Sequence, residues 1–116
     1  MASLNTFGAI FTFAIELEGR LSAYYDGLGE AAKAKAAEKR RKKLERVRRE
    51  NVVEITLEPI AGLDAADYAL DLSDGSAAGK AAAARNAARF YVDAAPKINV
   101  RAAQRALERC GKEHAG

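Results

Sequence analysis

A chain of 116 residues has room for one domain with a modest core. Ala supplies roughly a quarter of it, so its 49% hydrophobic content overstates the large apolar side chains. The net charge of +3, from 19 basic against 16 acidic residues, is too slight to point to nucleic acid by itself. A single cysteine excludes an intramolecular disulfide and fits a reducing, cytoplasmic compartment.

The first segment, about 4–28, reads as a helix that Ser3 or Asn5 caps and that Gly27 and Gly29 stop. In steps of three and four, Leu4, Phe7, Phe11, Ala14, Glu18, Leu21, Tyr25 and Leu28 form one stripe. Every member but Glu18 is apolar or aromatic. A lone carboxylate on a core face is costly unless a metal, a cation or a proton balances it, which makes Glu18 the leading functional residue. A stripe tilted by one position would instead carry Glu18 to the surface and turn Glu16 or Leu17 inward. The run from Phe7 to Ile15 has the length of a signal-peptide apolar region, but no Lys or Arg precedes it and Glu16 interrupts it. It is too short to span a bilayer, and no membrane association is expected.

The second segment begins near residue 30 with AAKAKAAEKRRKKLERVRREN, rich in strong helix formers. VVEITL, Val52 to Leu57, is β-branched enough for a strand but has no evident pairing partner, so the helix is extended to 57 with Pro59 ending it. Its inward positions are Ala34, Ala37, Arg41, Leu44, Arg48 and Asn51. Lys39, Arg40, Lys42, Lys43 and Arg46 project outward. That basic face is the rival functional reading, as a surface for phosphates. It has no interleaved aromatics and no helix-turn-helix signature, and Glu38, Glu45 and Glu50 dilute it, so a solvated face is favoured over nucleic acid.

Residues 59–79 are acidic and turn-rich, too long for a simple turn inside a helical domain. They read as a crossover with a short helical turn at Ala65 to Leu70. A third helix over about 76–95 has Ala77, Ala81, Ala84, Ala88, Tyr91 and Ala95 on its stripe. After the break at Pro96, a fourth over about 99–114 has Val100, Ala103, Leu107, Cys110 and His114 on one side. Cys110 on that stripe reads as a buried structural thiol, and His114 in the last turn as a partner for the helix carbonyls. No phosphate loop, Ser-His-acid set or cysteine cluster for zinc is present.

The expected fold is therefore all-α, one helical domain over residues 1–116, with two helix pairs joined by a long crossover between helices 2 and 3. That is the connectivity of a ferritin-like four-helix bundle. The stretches AIELEGRLSAYYDGL, ARFYVDAAPKI and RALERCGKEH resemble the small rubrerythrin-type members of that superfamily. The resemblance implies a Glu seven residues before a Tyr on the first and third helices. It also implies a Glu-x-x-His pair on the second and fourth, with two iron or manganese ions between them. Glu18 and Tyr25 match the first pair. Tyr91 matches on the third helix, but Ala84 stands seven residues before it. No Glu-x-x-His occurs, because His114 is the only histidine and Gly111 stands three residues before it.

Two outcomes follow from this partial match. In one, Glu18 is neutralised by an inward arginine, Arg48 or else Arg41, and the chain is a metal-free interaction or scaffold protein. In the other, a residual iron or manganese site in an oxidoreductase or storage protein recruits Glu18, Glu54 and His114. Phe7, Ile10, Phe11 and Phe13 spread over more than one face of the first helix, so a homo-oligomer is expected as well.

Overall fold

The computed structural model describes residues 4, 6–50, 63–98 and 100–115. Four helices, α1 (Phe7–Gly27), α2 (Ala31–Glu50), α3 (Ala77–Ala94) and α4 (Arg101–Ala115), account for most of them. Two 3-10 turns, Ala65–Tyr68 and Ala95–Lys97, complete the elements, and none of the described residues lies in a strand. None of these helices is long and apolar enough to cross a membrane. The expected end of the second helix at 57, with Asn51, Glu54 and the VVEITL run, lies outside the described residues, as does the expected start of the fourth at Asn99.

Local chemistry sets the helix ends. Thr6, rather than Ser3 or Asn5, caps α1, its hydroxyl accepting from the Ala9 N–H at 3.0 Å. Gly29 takes φ +74, the left-handed conformation that lets the chain turn within three residues into α2. Ser76 caps α3 through the Gly79 N–H at 3.3 Å.

The helices form two antiparallel pairs. Glu18 lies opposite Arg40 and Ser22 opposite Ala34 in the α1–α2 pair. Tyr91 meets Gly111 and Ala95 meets Gln104 in the α3–α4 pair. The described part of the connector between α2 and α3, residues 63–76, travels the length of α1. Leu63 accepts from the Leu4 N–H, Leu70 from Arg20, and Asp74 from the Tyr24 hydroxyl. From residue 63 onward the chain thus runs as the expected crossover would, and the 3-10 turn at Ala65–Tyr68 falls within the short helical turn expected at Ala65 to Leu70.

Large side chains from α1 and α3 fill the centre. Phe11, Ile10, Leu21, Phe90 and Tyr91 are fully buried together with Leu44 and Leu107. Phe13 packs on Phe90 with ring centroids 4.8 Å apart, and Phe7 stacks on Phe11 at 4.7 Å. Phe7 and Phe11 are therefore covered within a single chain, whereas Phe13 is half-buried. Leu28, at the end of the expected stripe, is 39% exposed.

The α3 stripe differs from expectation by one position. The buried residues are Gly79, Ala83, Ala87, Phe90, Tyr91 and Ala94, while Ala77 and Ala81 are exposed and Ala84 is half-buried. Phe90 decides this rotation, because burying its ring outweighs burying any alanine methyl.

Candidate functional site

Glu18 lies at the centre of the molecule and is 0% exposed. It faces inward as the untilted stripe requires, with Leu17 buried beside it and Glu16 exposed. Each of the other three helices brings a donor to it. From α2, Arg40 Nε donates to Oε1 at 2.8 Å. From α3, the Tyr91 hydroxyl donates to Oε2 at 2.5 Å. From α4, His114 Nε2 lies 2.7 Å from the same Oε2 and donates there as an imidazolium or as the Nε2–H tautomer. Arg40 is anchored on its far side by Glu113 at 3.0 Å. No buried side-chain nitrogen or oxygen among the described residues lacks a partner.

The guanidinium that neutralises Glu18 is thus Arg40, not Arg48 or Arg41. After Ala37 a three-residue step reaches Arg40 and a four-residue step reaches Arg41, and both lead on to Leu44. Arg40 is 8% exposed, contrary to its expected outward position. Arg41 turns outward to Glu38 and Glu45, which lie one turn away on its own helix, and holds Glu45 at 2.5 Å. Arg48 is exposed and borders a shallow surface hollow with Ile15, Glu45 and Arg49.

Burial pushes the Glu18 carboxyl upward, but His114, Arg40 and Tyr91 outweigh it and hold the group below its ordinary value. Burial, then the Glu18 charge, pushes Tyr91 well above the ordinary phenol range, so it stays a donor. Cys110 is buried beside this cluster, and burial followed by Glu18 pushes its thiol up to about 12. It is a structural thiol rather than a reactive one. Tyr25 is 4% exposed; burial raises its hydroxyl, and Lys33 lies 5.7 Å from its ring centre. Tyr25 donates no hydrogen bond to Glu18.

His114 reaches the centre because Gly111 lets α4 close on α3. A Cβ on Gly111 would lie 3.0 Å from the Tyr91 Cβ. The imidazole then stacks on the Tyr91 ring at 5.8 Å and 10°, and its side chain is 3% exposed. The expectation that His114 serves the helix carbonyls is corrected accordingly.

Of the residual metal set, Glu18 and His114 come together, and Glu54 lies outside the described residues. The donors present do not suit a divalent ion. Both Glu18 oxygens are engaged, the histidine nitrogen is turned onto one of them, and a fixed guanidinium stands 2.8 Å from the other. Ala84 offers no ligand atom. Among the described residues no three His, Cys, Asp or Glu side chains gather in a way that could hold a metal ion. Arg40 and Glu113 escaped the sequence reading. The one available signal was that Arg40 precedes Leu44 by four residues and follows Ala37 by three. No family model, no curated protein and no solved structure matches the chain.

Proposed function

We propose that this chain is a ferritin-like, rubrerythrin-type four-helix bundle in which an ion-pair cluster occupies the place of the metal centre. On this reading it works as a non-catalytic interaction or scaffold protein. One observation carries the reading: the Arg40 guanidinium sits on Glu18 at 2.8 Å, supplying inside the core the positive charge that a metal would supply. The connectivity supports it too, since the connector returns the chain along α1 so that α3 starts beside the end of α1. The cluster offers no group poised for chemistry. Its carboxylate is held ionised, its tyrosine protonated and its thiol protonated.

The contact between Glu18 and His114 favours a second reading, a residual iron- or manganese-binding protein. Metal content decides between them. Protein purified without added metal and incubated anaerobically with ferrous iron, then with manganous ion, is expected to retain no stoichiometric pair of ions per chain after gel filtration. Two tightly held ions per chain would overturn the metal-free reading and make Glu54 and His114 the residues to replace.

A further inference from the structure

Charge is unevenly divided in this fold. Together α2 and α4 carry 14 basic and 5 acidic residues, whereas the rest of the chain carries 5 basic and 11 acidic. The two basic helices are neighbours, joined by Arg40 to Glu113. Lys39, Arg46 and Arg109 on these two helices are exposed and Lys43 is half-buried, and Lys39 also borders a hollow with Gly19 and Asp26 of α1. The acidic connector lies along α1 and α3, with Leu70 on Arg20 and Tyr68 on Phe90.

Three of the five acids on α2 and α4 are already engaged, whereas Glu50 and Glu108 are exposed and form no ion pair among the described residues. Glu38 and Glu45 hold Arg41, and Glu113 holds Arg40. Lys39, Lys43, Arg46 and Arg109 form no ion pair among the described residues. The sequence reading weighed the basic run of α2 against its own glutamates. In the fold two of those glutamates are occupied, and a second cationic helix is added alongside.

We propose that the paired outer faces of α2 and α4 dock on the phosphate backbone of double-stranded nucleic acid. Twenty residues of α2 give a cationic edge about 30 Å long, on the scale of one turn of duplex. No Phe, Tyr or Trp lies in α2 or α4, and the His114 ring is buried. The surface therefore has nothing on which to stack unpaired bases, which favours a duplex over a single strand. Contact is to phosphates and independent of base sequence. Pairing of the basic face with the acidic side of a second copy is the competing use of the same charges. Each added copy would carry a further net +3, so such pairing leaves the excess unneutralised where a polyanion removes it.

This inference deepens the non-catalytic reading by naming a partner. It is tested separately from metal content, so either can fail alone. Fluorescence anisotropy of a labelled duplex of about 20 base pairs, titrated with the full chain, measures affinity at several salt concentrations. Four phosphate contacts predict that doubling the salt weakens binding about twelvefold. The variant K39E/K43E/R46E/R109E should lose binding at least tenfold, and R85E/K97E, on the α3 side, should shift it less than twofold. Glutamine in place of glutamate at the same four positions, with helicity checked by circular dichroism, guards against a folding artefact. Three results would overturn the proposal: no duplex binding at low salt, equal binding by the quadruple variants, or tighter binding to phosphatidylserine vesicles than to duplex. Salt-reversible self-association without duplex binding, seen by light scattering, would assign the face to a second copy instead.

Discussion

At Glu18 the cost of burying a charge is met by three donors from three different helices. Removing the carboxylate leaves Arg40 buried without its main partner and both Tyr91 and His114 without an acceptor. Glu18→Ala should therefore destabilise the fold by about 3–5 kcal/mol. Glu18→Leu combined with Arg40→Leu should cost clearly less than the two single changes added together, because both desolvation costs vanish as a pair. Arg48→Leu should change stability by only about 0.5 kcal/mol, since Arg48 is exposed. Urea melts of these variants check all three values.

The same cluster fixes the response to pH. Glu18 has its folded value below the ordinary one, so its contribution is complete above the usual carboxylate range, about 4, and fades as pH falls through the folded value. Tyr91 and Cys110 are raised, so their contributions are complete below their unfolded values and are lost as pH rises through the folded ones. Melting temperature should hold level through neutrality and drop on both flanks. In Glu18→Gln the acid drop should shrink. Native Cys110 should react with a thiol reagent only at the rate of unfolding, which timed alkylation in increasing urea would show.

Among the elements, α1 was the most legible: Leu4, Phe7, Phe11, Ala14, Glu18, Leu21 and Tyr25 are buried as the spacing required, while Leu28 is exposed and Ile10 and Leu17 are buried beside the stripe. Bulky side chains at steps of three and four leave one orientation that covers them. The basic run of α2 lacks that contrast. Between Ala37 and Leu44 no apolar side chain marks the inner edge, so Arg40 and Arg41 were indistinguishable until α4 supplied Glu113. In α3 a sequence that is half alanine fits several rotations about equally well, and Phe90 breaks the tie.

Backbone crowding at the start of α3 gives a further test. A Cβ on Gly79 would collide with the Asp74 carbonyl oxygen, whereas one on Gly27, at the end of α1, meets nothing within 4 Å. Gly79→Ala should cost about 1–3 kcal/mol, and Gly27→Ala should stabilise by about 0.4–1 kcal/mol through the unfolded chain. Thermal melts of the two variants should move in opposite directions.

Across the whole molecule the connector fastens the two helix pairs together, and Tyr68 is its main rivet. Its ring meets Phe90 edge-on at 5.5 Å, Arg89 covers it at 5.0 Å, and its hydroxyl donates to Asp93 at 2.7 Å. Burial, then Asp93, pushes that hydroxyl up to about 12. Tyr68→Ala should cost about 3–5 kcal/mol and speed amide exchange at Leu70 and Leu72, whereas Tyr68→Phe should cost about 1 kcal/mol. Hydrogen exchange read by mass spectrometry separates loss of the ring from loss of the hydroxyl.

The polar centre also constrains how the two helix pairs find each other. The α1–α2 pair alone can join Glu18 to Arg40, and the α3–α4 pair alone can stack Tyr91 on His114, but each half then keeps hydrogen-bonding capacity that only the other can fill. A docking slipped by one turn could still bury alanine against alanine, since one methyl resembles another. It would leave a phenol and an imidazole facing hydrocarbon, at the cost of their unmade hydrogen bonds. In a core so rich in alanine, this single carboxylate acts as a proofreader that rejects near-miss assemblies which greasy contacts would accept.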